Sequence, residues 1–122
     1  MSSSSGVSVQ VEADLYSGRP NPTWIVPSEL VDQANDQLAR APVFSGPLPP
    51  DPGLGYRGLR LSLPGPNGVI EVKVFGGAAE CRDASGTSVL ADEGRCLERQ
   101  LLAAAENHIP SQLFEYLIQV TR

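Results

Sequence analysis

Apolar and polar residues alternate strictly in three separate stretches of this chain. Val7, Val9, Val11, Ala13 and Leu15 interleave with Ser8, Gln10, Glu12 and Asp14. Leu59, Leu61 and Leu63 alternate with Arg60 and Ser62, and Ile70, Val72 and Val74 with Glu71 and Lys73. A two-residue period puts one set on a buried face and the other in water, the signature of half-buried strands. Between the second and third runs lies Pro64-Gly65-Pro66-Asn67-Gly68. Asn-Gly between alternating runs marks an antiparallel hairpin, expected here over residues 57–76.

Helices account for much of the rest. After Pro27, Ser28 and Glu29 suit a helix start, with Ser28 as N-cap. Leu30, Val31, Ala34, Leu38 and Ala41 share one face, and Asp32, Asn35, Asp36 and Arg40 lie opposite. The expected helix spans residues 28–40 and stops at Pro42. A second helix is expected from Glu93 to His108, capped by Asp92, with Leu97, Leu101, Ala104, Ala105 and His108 as its buried stripe. Residues 111–122 fit a helix through Leu113, Leu117 and Val120, and a strand through Phe114, Tyr116, Ile118 and Val120. Pro110-Ser111 resembles a helix entry and favours the first. Thr87-Ser88-Val89-Leu90 offers a short edge strand.

Between these elements the chain is turn-rich, with twelve glycines and eleven prolines in 122 residues. Residues 42–56 hold Pro42, Pro47, Pro49, Pro50 and Pro52 with Gly46, Gly53 and Gly55, so neither helix nor central strand can cross them. The expectation is one α+β domain over residues 7–122, preceded by a flexible tail at 1–6. It comprises a small antiparallel sheet of about three strands, the N-terminal strand plus the central hairpin. Two to three helices cover one face and the charged face stays wet.

Charge and composition narrow the function. The formal net charge is −5 and the pI about 4.7, which argues against nucleic acid and against a polybasic membrane surface. No apolar run approaches the roughly 20 residues of a membrane helix. Lys73 is the single lysine beside eight arginines, a composition suggestive of a GC-rich bacterial genome. Met1-Ser2-Ser3-Ser4-Ser5-Gly6 has neither the basic nor the apolar region of a secretory signal. A cytoplasmic location is therefore expected, with an exported chain as the alternative. Cys81 and Cys96 can form a disulfide, worth about 3 kcal/mol for such a loop in an oxidising compartment, or stay as two thiols. Together with His108 they fall short of the four ligands of a zinc site, and nothing in the sequence implies a cofactor.

Three groups of residues are candidates for chemistry or contact. Glu12 and Asp14, two apart on a strand, share a face and could act as an acid/base pair or hold a hard cation. Cross-strand pairing with Arg60, Glu71 and Lys73 accounts for the same residues without chemistry. The segment Tyr16 to Trp24 is stiffened by Pro20 and Pro22 and concentrates Tyr16, Arg19, Asn21 and Trp24. A pre-positioned guanidinium beside rigid aromatics suits a protein partner or a small anionic ligand. The run Asp83-Ala84-Ser85-Gly86-Thr87 lacks the alternating acids and terminal Glu of a calcium loop and reads as a turn. Phosphate-binding, nucleophile-elbow and zinc-protease motifs are absent. The preferred expectation is a small acidic binding or accessory protein, comparable to inhibitor-like or immunity-like proteins that mask basic partners. The alternatives are a small enzyme or ligand-binding domain with a pocket lined by Arg19, Tyr16 and Glu12/Asp14, and an exported module stapled by Cys81–Cys96.

Overall fold

The computed structural model describes residues 8–16, 20–48, 55–65 and 68–121. The tail at 1–6, Arg19, and the hairpin tip Pro66-Asn67 lie outside the described residues. Strands run over Val9–Ala13 (β1), Thr23–Val26 (β2), Leu59–Gly65 (β3), Gly68–Phe75 (β4), Ala78–Asp83 (β5) and Gly86–Ala91 (β6). Helices run over Ser28–Arg40 (α1), Cys96–Ala103 (α2) and Ser111–Val120 (α3), with a 3₁₀ turn at Glu93–Arg95.

All six strands form one antiparallel sheet in the order β2-β1-β3-β4-β5-β6. The class is α+β, but the sheet has six strands where about three were expected. The expected strand and hairpin, β1, β3 and β4, are its centre. Of the extra strands, β2 and β5 lack a clear alternation, while β6 contains the short edge strand offered by Thr87–Leu90. β2 has only four residues between prolines, β5 opens with Ala78-Ala79, and β6 is an edge strand with no fully buried position.

Register ties the faces together. Trp24, Val11, Leu61, Val72, Cys81 and Ser88 stand opposite one another in a row across all six strands. Ala13, Leu59, Val74, Ala79 and Leu90 form the next row. Nearly all of these apolar side chains are buried on the helix-covered face. The opposite face carries Glu12–Arg60–Lys73–Glu80 as one cross-strand row and Ser62–Glu71–Arg82–Thr87 as another. Opposite charges stand side by side at Glu12–Arg60, Lys73–Glu80 and Glu71–Arg82, so neighbouring strands support each other at modest energy each.

Gly58 makes the entry to β3 possible. Its φ is +118°, and a Cβ there would meet the Phe75 Cβ and the Val74 carbonyl oxygen at 2.9 Å. Its carbonyl accepts the Asp14 N–H at 2.9 Å, extending the β1–β3 ladder past the end of β1.

α1 has the expected bounds, but Ser28 is its first helical residue and Pro27 occupies the cap position. The Pro27 carbonyl accepts the N–H groups of Leu30 and Val31. The expected helix 93–108 is shorter. Gly94 and Arg95 adopt left-handed backbone angles, so the helix proper starts at Cys96, and it ends at Ala103. His108 lies beyond it, exposed in a turn rather than on the buried stripe. The C-terminal segment is helical and buries Leu117.

Truncating Leu61, buried at the centre of the sheet, is expected to cost about 2–5 kcal/mol as Leu61→Ala. Val69→Ala, at an exposed position of β4, should stay within about 0.5 kcal/mol. Urea unfolding measures both; equal losses would contradict this assignment of faces.

Candidate functional site

Of the residues expected to make contact, Asn21 and Trp24 hold the fold. The Asn21 side-chain oxygen accepts the N–H groups of Leu15 at 3.0 Å and Tyr16 at 2.7 Å, and its amide donates to Glu12 at 2.7 Å. Asn21 thus closes the loop between β1 and β2 as a turn clamp. Trp24 is 3% exposed, and its indole N–H donates to the Leu101 carbonyl at 3.0 Å. That bond joins β2 to α2 and removes Trp24 from any contact surface. Tyr16 is half-buried.

Glu12 and Asp14 do not form a solvent-facing acid pair. β1 ends at Ala13, and Asp14 turns inward and is buried. Its carboxylate takes Arg57 at 2.9 Å and Arg60 at 2.7 Å. A buried carboxylate needs such partners, and two guanidiniums supply them. Glu12 faces the open side and receives Asn21.

A second buried acid lies at α2. Glu98 is 0% exposed. One oxygen accepts Arg95 Nε at 2.9 Å and the Gly76 N–H at 3.2 Å, and the other accepts Arg95 Nη2 at 3.1 Å and the Tyr56 hydroxyl. Arg95 also lies over the Phe75 ring at 5.8 Å. Burial, reinforced by Glu98, pushes the Tyr56 hydroxyl far above its ordinary range, so Tyr56 stays a donor. Hydrogen bonding to Glu98 raises Arg95. Asp92 accepts the N–H groups of Leu97 at 2.8 Å and Glu98 at 3.1 Å, so its side chain caps the helix start. With Glu98 fully buried and bonded to Arg95, Tyr56 and Gly76, this cluster anchors α2.

A cleft does open to solvent elsewhere. It has a volume of about 800 Å³ and lies between α1 and the β4–β6 half of the sheet. Its floor is Ile70, Cys81 and Leu90, the covered-face residues of three adjacent strands, each only half-buried. Leu38 and Ala39 of α1 form one wall with Asp32 and Asn35. The opposite wall is the turn from β5 to β6, where Asp83 accepts the Ser85 N–H at 2.8 Å and the Ser85 hydroxyl at 2.6 Å. Those bonds hold Asp83 below the usual carboxylate range. Burial, then the charges of Asp83 and Glu80, push the Cys81 thiol up. Cys81 and Cys96 are both free thiols, and Cys96 is exposed at the start of α2.

The cleft itself is not legible in the sequence. Ile70 reads as a strand residue and Leu38 as a helix-face residue, but the cleft needs β5 and β6 to exist. The turn at Asp83–Thr87 was the available signal, since a turn between two runs implies strands on both sides. Compared with protein-family models, curated proteins and solved structures, the chain matches none.

The Asp92 carboxyl gives a testable pH dependence. Burial raises its pKa, opposed by the two backbone donors. A carboxyl raised in the fold favours folding fully below its unfolded value of about 3.9, and that contribution is lost as pH rises through the folded value. Asp92→Asn cannot titrate. Its stability deficit relative to the parent should therefore be larger near about pH 3 than near about pH 7 in urea unfolding. A deficit that grows with pH would contradict this.

Proposed function

We propose that this is a small acidic, non-catalytic binding protein whose ligand sits in the cleft between α1 and strands β4–β6. The observation that carries the reading is the floor: Ile70, Cys81 and Leu90 belong to the covered face of the sheet yet are only half-buried. Apolar floors with a few polar groups at the rim, in clefts of roughly 300–1,000 Å³, suit small organic ligands. The other clusters favour binding over catalysis. Asp14 and Glu98, the buried acids with chemical potential, are each held by arginines in the fold. The contact role expected of Tyr16–Trp24 moves to the cleft, because Asn21 and Trp24 are engaged in the fold.

A neutral environment-sensitive fluorophore, N-phenylnaphthylamine, should bind saturably. Ser88 stands opposite Cys81 of the floor and lines the cleft, and Ser88→Trp should weaken binding at least about tenfold with circular dichroism unchanged. Ala39→Trp, on the helix wall and exposed, is an independent block should the first variant misfold. Binding that neither variant reduces, or no saturable binding at all, would contradict the reading.

A further inference from the structure

Resting on that cleft, we infer that its ligand is an organic cation: an amine or quaternary ammonium head on an apolar body, with the body on the Ile70–Leu90 floor and the head between Asp32 and Asp83. The two carboxylates stand on opposite walls, Asp32 on α1 and Asp83 on the β5–β6 turn. Among the described residues, no lysine, arginine or histidine lines the cleft. The neighbouring cations are directed elsewhere. Arg40 pairs with Asp36 at 3.0 Å, and Arg82 alternates onto the far face opposite Glu71. An anionic head would therefore meet two negative charges and no positive one.

The Asp83 side chain is also fixed in place. The Ser85 amide and hydroxyl both donate to one of its oxygens, and they hold it as a carboxylate into the acid range. The formal charge of −5 over the whole chain adds a long-range field of the same sign. The apolar floor argues against a compact polyamine, which would leave that surface wet. Two carboxylates also fall well short of the roughly six to eight oxygens of a calcium shell, whereas an ammonium head needs no such shell. The anionic ligand expected from the sequence rested on Arg19, which lies outside the described residues.

Three probes sharing one chain separate the two claims: decyltrimethylammonium, decyl sulfate and decanol, each titrated below its micelle or solubility limit against bound N-phenylnaphthylamine. The cation should displace the fluorophore about tenfold more effectively than the sulfate, a preference that falls as salt is added. The Asp32→Asn and Asp83→Asn double variant should bring the two charged probes to near equality and leave decanol unchanged. The amide introduced by Asp83→Asn keeps an acceptor oxygen for Ser85, so the turn persists. Decanol binding with no cation preference, or a preference the double variant leaves intact, would overturn the inference while leaving the cleft reading standing. Displacement by none of the three would overturn both.

Discussion

A six-stranded sheet is wider than two helices laid side by side can cover. Five interstrand spacings of about 4.8 Å make the sheet roughly 24 Å across, while a helix with its side chains covers about 10 Å. α1 and α2 lie against each other, joined by the Gln37–Gln100 bond at 2.7 Å. α2 reaches from the turn after β4 to β2 through its Glu98–Gly76 and Trp24–Leu101 bonds, and Val11, Leu59, Leu63 and Val74 beneath the helix layer are almost wholly buried. In the outer strands β5 and β6, the covered-face residues Cys81 and Leu90 stay partly accessible, and the cleft is the consequence.

The position of α2 is set by polar bonds inside the apolar layer. Glu98 connects α2 to the segment before β3 through Tyr56 and to the turn after β4 through Gly76. A buried carboxylate with four donors is strongly position-specific, because moving the helix would strand the charge in a low-dielectric interior. Trp24 adds a bond from β2 to the end of α2. Arg95 adopts a left-handed backbone, with φ 55°, and in that conformation its guanidinium meets both Glu98 oxygens. α2 is thus pinned between β2 and the end of β4, while Cys81 and Leu90 of the outer strands stay half-buried.

Much of the scaffold was legible in the sequence, and the candidate site was not. The alternating runs gave β1, β3, β4 and the inward direction of Val9, Val11, Leu59 and Leu61. Pro27 and Pro42 bracketed α1. What escaped were elements whose residues answer to tertiary contacts. β2 is four residues long and β5 starts on two alanines, so cross-strand pairing decides there and intrinsic preference is weak. Asp14 continued the polar side of an alternating run, yet the strand ends one residue earlier and the carboxylate turns in to meet Arg57, forty-three positions away. Asp92 was expected to cap a helix beginning at Glu93; the helix proper begins at Cys96, and the Asp92 carboxylate accepts from Leu97 and Glu98 instead. The Glu98 network was not recognisable, since its partners Tyr56 and Gly76 come from distant stretches of chain.

Methyl-resolved NMR titration with decyltrimethylammonium tests the account most directly. Shifts confined to the methyl groups of Leu38, Ile70 and Leu90 would place the ligand on the uncovered floor. Shifts concentrated at Ile25 and Val69, which are exposed away from that floor, would contradict it.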